Sequence, residues 1–148
     1  MGPRRAAREL AMQALYQVDL LGEGDEMGRS LRLFWDHFQH EDQDPQVEVF
    51  ARELVGGVHE NREQIDTLIA SSAEHWRLPR LSRVDLNLLR LATYELLCRP
   101  EIPSSVTLNE AVEIARRFGS DESAAFVNGV LDHIAHELAA KDPASSSE

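Results

Sequence analysis

SRVDLNLLRLATYELLCR, Ser82–Arg99, is the stretch whose reading decides the fold. At about 100° per residue its apolar side chains (Val84, Leu86, Leu88, Leu89, Leu91, Ala92, Tyr94, Leu96, Leu97 and Cys98) spread around nearly the whole circumference of a helix. A helix that is apolar all round is a buried one, so the pattern predicts other helices packed about it. Ser82 with Asp85 three residues on reads as a variant capping box that starts the helix. Pro100 ends it, because proline disfavours helical geometry in the residue before it. Glu95 falls between Val84, Leu88 and Leu91 on the wheel and therefore points into protein. A buried carboxylate must find donors or stay neutral. A lone carboxylate lacks the partners of acid–base catalysis, so the preferred role for Glu95 is a structural hydrogen-bond anchor, not a catalytic acid.

Outward from this helix the pattern stays helical, and no run shows strand alternation. The reading is all-α with about seven helices. A first helix is expected over Pro3–Leu21, with Ala7, Ala11, Ala14, Leu15, Val18 and Leu21 as its apolar stripe. Tyr16 and Leu20 lie four apart beside that stripe, either covering the core edge or forming a contact patch. Gly22–Gly28 reads as a loop. A second helix over about Arg29–Gln39 carries Leu31, Phe34, Trp35 and Phe38. Asp44 caps a third, with Pro45 at its first position and Val47, Phe50, Ala51, Leu54, Val55 and Val58 inward. Asn61 and Gln64 suit the start of a fourth, through Ile65, Leu68 and Ile69.

Beyond the central helix a sixth is expected over about Ser105–Phe118, burying Leu108, Ala111, Val112, Ala115 and Phe118. Gly119 stops it as a C′ residue. Ser120 caps a seventh with Val127, Val130, Leu131, Ile134 and Leu138 inward. Residues 1–138 are read as one domain and 139–148 as a disordered tail.

Composition bounds the function. With 148 residues, 43% apolar and 28% charged, the chain is of ordinary globular make-up and long enough for a real core. A net charge of −11 argues against nucleic-acid binding through a general basic surface and suits a basic protein partner. No apolar run approaches the ~20 residues that span a bilayer, so no membrane role is expected. The single cysteine, Cys98, excludes an intrachain disulfide and a multi-cysteine zinc site, and fits a reducing cytoplasm.

Chemistry-bearing motifs are lacking. His37/His40 and His133/His136 are i, i+3 pairs, but no Glu-x-x-His accompanies them, and they read as solvated faces. No phosphate loop or nucleophile elbow occurs, so no catalytic residue, metal or cofactor is assigned. Gly56, Gly57 and Gly129 lie within helices, where they would permit close contacts. Two arginine groups remain. Arg116 and Arg117 sit at a helix C-terminus, where the dipole welcomes cations. Arg4, Arg5 and Arg8 sit at a helix N-terminus, where it opposes them, which makes this group the more informative.

RRAARELAMQALYQ at Arg4–Gln17, followed by YELL, NEAVE, RFGS and FVNGVLD in order within Ser82–Asp132, resembles the NusB family of bacterial transcription antitermination factors. The resemblance covers nearly the whole chain and is weakest over Gly22–Gln46. It implies two packed helical subbundles and an RNA-binding adaptor, not an enzyme. NusB proteins pair with NusE, a small-subunit ribosomal protein, and together hold boxA RNA, mainly of ribosomal RNA leaders, near RNA polymerase. Carried over by position, Arg4, Arg5 and Arg8 would touch phosphates, and Phe126 of the FVNG motif would stack on a base. Glu122 would lie near the same RNA surface, with Arg116 and Arg117 arriving at the same turn. Tyr16 of ALYQ, with Leu20, and Asp85 would meet NusE on one face; Asp85 is shorter than the glutamate often found there. Without the resemblance, Phe126 reads as a ring covering the core edge. Some members are homodimers that bury the partner surface. The rivals are the NusB-like domain of RNA cytosine methyltransferases, for which 148 residues leave no room, and a helical interaction scaffold without an RNA role.

Overall fold

The computed structural model describes residues 2–21, 26–38, 44–75 and 81–141. Among these the chain forms seven helices and no strand, as expected: α1 Pro3–Leu21, α2 Glu26–Phe38, α3 Pro45–Glu60, α4 Arg62–His75, α5 Arg83–Cys98, α6 Ser104–Phe118 and α7 Asp121–Lys141. They fall into two units, Met1–Gly56 and Gly57–Glu148, each with its own interior.

In the first unit α1 packs on α2. The stripe Ala7, Ala11, Ala14, Leu15 and Val18 is buried as the spacing requires, joined by Leu10 and Met12. Phe34 and Trp35 of α2 are buried and meet edge to face, ring centres 5.2 Å apart. The Arg52 guanidinium of α3 lies 4.8 Å over the Trp35 ring. Val47, Phe50, Ala51, Leu54 and Val55 complete the buried set.

The second unit is organised around α5, which packs on α4, α6 and α7. Burial is continuous from Asn87 to Glu95, with Leu88, Leu89 and Leu91 almost wholly enclosed. Ser82 Oγ accepts from the Asp85 N–H at 3.0 Å, which is the expected cap. Glu95 is 1% exposed and accepts from Thr107 Oγ1 of α6 at 2.9 Å, the structural anchor its wheel position foretold. On the α4 side, Arg90 Nε donates to Asp66 Oδ1 at 2.9 Å, and Arg62 reaches the same carboxylate at 3.0 Å. Gly57 stands against Tyr94, where a Cβ would overlap the ring.

Several expectations are corrected. The tail does not begin at 139: Ala139, Ala140 and Lys141 continue α7. Alanine and lysine are strong helix formers, and a cation suits the negative C-terminal end. Residues 142–148, and His40 of the His37/His40 pair, lie outside the described residues. α2 begins at Glu26, not Arg29, as an acid at a helix start favours. The ends of α5 are half-exposed at Val84, Leu86, Leu96, Leu97 and Cys98, because the other helices enclose only its middle. Phe118 is 38% exposed, since it is the last residue of α6 and leaves the core with the turn. Leu108, Val112 and Leu138 are half-buried. Asn61 serves the other helix: its side-chain amide donates to Gly57 O of α3 at 2.8 Å. His133 is no solvated face either, its Nδ1 lying 2.8 Å from the Oγ of fully buried Ser72.

Candidate nucleic-acid and partner interface

The α6–α7 turn carries four of the expected site residues. Gly119 ends α6 with its N–H donating to Ala115 O, at a negative φ (−126°) and so not in the left-handed conformation. Glycine is required there by space, since a Cβ would stand 2.8 Å from Ser123 Oγ. Ser120 Oγ accepts from the Ser123 N–H at 3.1 Å and starts α7. This tight turn leaves Arg116, Arg117 and Glu122 exposed, with Phe126 half-buried one helical turn beyond Glu122. Arg116 donates to Glu113 Oε1 at 2.6 Å and to Asp121 Oδ1 at 3.3 Å. Such exposed pairs are weak enough for a phosphate to compete with them. The Arg117 guanidinium lies 5.6 Å over the Phe118 ring.

The second arginine group starts α1. Arg4 is exposed and Arg5 half-exposed, but Arg8 is only 4% exposed. Arg4 and Arg8 share one ring: their Cζ atoms stand 4.0 Å and 5.8 Å from the centre of Phe50 on α3. Sequence reasoning missed Phe50, because nothing local links it to Arg4. It also passed over Glu113, whose i, i+3 spacing to Arg116 was a readable sign.

Of the residues expected to meet a protein partner, Leu20 is 54% exposed and Tyr16 half-buried, four apart on α1. Asp85 is different. It is 7% exposed, Oδ2 accepts from Ser123 Oγ at 3.2 Å, and Oδ1 is buried with no hydrogen-bond partner. Burial pushes its pKa above the ordinary carboxylate range, and the Ser123 and Ser82 hydroxyls pull it partly back. Burial likewise raises the Cys98 thiol. Among the described residues no group of histidine, cysteine and carboxylate side chains could hold a metal ion, and no helix is long and apolar enough to cross a membrane.

A family model described as the NusB family matches residues 5–136. The chain is 48% identical to the transcription antitermination protein NusB of Geobacter sp. (strain M21), over 96% of this chain and 100% of that one. It is 47% identical to the protein of the same name from Myxococcus xanthus (strain DK1622), over 93% and 98%. Among solved structures, T. maritima NusB superposes with a TM-score of 0.77 at 43% identity, covering 93% of each chain. A NusB solved as the antitermination factors NusB and NusE in complex with dsRNA gives a TM-score of 0.77 at 27% identity, over 93% of this chain and 98% of that one. Matched along nearly all its length by the family model and by relatives close to half identical, the chain belongs to the NusB family of transcription antitermination proteins.

Proposed function

We propose that this chain binds boxA-type single-stranded RNA jointly with NusE and serves antitermination of ribosomal RNA transcription at RNA polymerase, in the cytoplasm. The observation that carries this reading is the α6–α7 turn, where exposed Arg116 and Arg117 stand close in sequence to the half-buried Phe126 ring. Single-stranded RNA is recognised by cations for its backbone and aromatic faces for its bases, and this turn offers both. Arg4 and Arg5 add phosphate contacts from α1; Arg8, 4% exposed, offers almost no surface of its own and adds its charge from within. Glu122 sits beside the RNA and limits its affinity by charge. Tyr16, Leu20 and Asp85 receive NusE, and the exposed apolar side chain of Leu20 favours a protein contact there. A family of RNA-binding transcription factors is not one of enzymes, and no reaction is assigned.

Phe126→Ala tests the reading. It should weaken boxA RNA binding by about 1–3 kcal/mol, the usual value of one stacked base, while NusE binding persists. Titrations with and without NusE, set beside thermal melts, separate the outcomes. A variant that melts far lower yet binds RNA normally when folded makes Phe126 a core-edge residue. A wild-type chain that captures NusE but no RNA is a protein scaffold.

A further inference from the structure

We propose that Phe50 is a positioning residue for RNA binding: its ring seats the Arg4 guanidinium and leaves that group's N–H donors for a phosphate. The inference rests on the preceding reading that Arg4 meets RNA. Arg4 and Arg8 are one helical turn apart, so their like charges repel, and Arg4 stands in the first turn, where the dipole repels cations. Two unfavourable terms thus meet at one place. Phe50 offsets them from α3. The negative face of an aromatic ring attracts guanidinium, and the Arg4 Cζ lies 4.0 Å from its centre.

The kind of partner matters as much as the attraction. A carboxylate would occupy the N–H fork that recognises phosphate, as Glu113 and Asp121 occupy that of Arg116. A ring face takes none of those donors. Among the described residues the ring is the partner of Arg4, and Arg4 is still exposed. Phe50 itself is 7% exposed and held by the core, so it is a fixed platform. Arg8, buried at 5.8 Å from the same ring, lies on the inner side of the pair.

The test is a double-mutant cycle on the full chain, read by titration of boxA-type single-stranded RNA in the presence of NusE. Phe50→Leu should weaken RNA binding about two- to fivefold, the scale of one exposed cation–π contact, and lose most of that effect in an Arg4→Ala background. NusE affinity should not change. Arg4→Lys, a surface change that does not threaten folding, keeps the charge without the guanidinium plane. It should weaken binding by a similar factor while leaving the salt dependence as it was. Equal effects of Phe50→Leu in both backgrounds, or wild-type affinity in Arg4→Lys, would overturn the assignment. If Phe50→Leu does not fold, Phe50→Met takes its place in the same cycle, keeping the volume without the ring face. Absence of RNA binding by the wild-type chain, with or without NusE, overturns the RNA reading itself and this inference with it.

Discussion

Asp85 is asked to do two things that pull against each other. In the proposed contact with NusE its carboxylate would meet a basic partner, yet it is 7% exposed and its Oδ1 has no hydrogen-bond partner. Its pKa is raised by burial, so the folded chain holds that proton more tightly than the unfolded chain does. The stability linked to it is therefore fully present in acid, below the unfolded value, and lost as pH rises through the folded value. Above the folded value the ionised group is a burden on the fold. Asp85→Asn is expected to raise Tm at about pH 7, with the gain shrinking toward about pH 4, and at the same time to weaken NusE binding. Thermal melts across that range, paired with a NusE titration, check both halves. A lower Tm at neutral pH would show that the hydroxyl bonds outweigh the burial.

Helix α3 carries two adjacent glycines with opposite tolerances. A Cβ on Gly56 would meet nothing within 4 Å, whereas one on Gly57 would overlap the Tyr94 ring of α5. Gly56→Ala should stabilise the chain by roughly 0.5–1 kcal/mol, because glycine inside a helix costs about that much. Gly57→Ala should destabilise it by roughly 1–3 kcal/mol, the common penalty for overpacking. Urea unfolding of the two variants reads the contrast directly, and a stabilised Gly57→Ala would mean that the ring gives way. The difference shows what a sequence can carry. Helix existence was legible because spacing and cap residues are local: Ser82 and Ser120 cap the helices they precede. The direction in which Asn61 spends its amide was not, because the residue lies between two helix ends and either can use it. Nor did spacing distinguish Gly56 from Gly57, since Tyr94 is remote in the chain.

At the scale of the molecule the net charge of −11 sets the terms of RNA binding. On the proposed reading, a chain of this charge offers RNA only its arginine groups, and a basic partner adds the attraction it lacks. With three or four phosphates neutralised, log K against log salt should have a slope of roughly −2 to −3 for single-stranded RNA. Titrations of the chain alone across a salt series measure it, and a flat line would contradict the electrostatic account. The candidate site was legible where it lies on one short run, as at the α6–α7 turn. The 4% exposure of Arg8 was not legible, because the Phe50 ring beside it is remote in the chain. The central helix carries a further consequence, one of timing. Of the helices packed on α5, α4 and the end of α3 that meets Tyr94 precede it; α6 and α7 follow. A chain leaving the ribosome thus exposes Leu88, Leu89 and the Glu95 carboxylate before Thr107 exists to receive a bond from that acid. The helix with the longest buried run in the unit must wait in water for its enclosure, so this part of the protein closes only after α7 has been made.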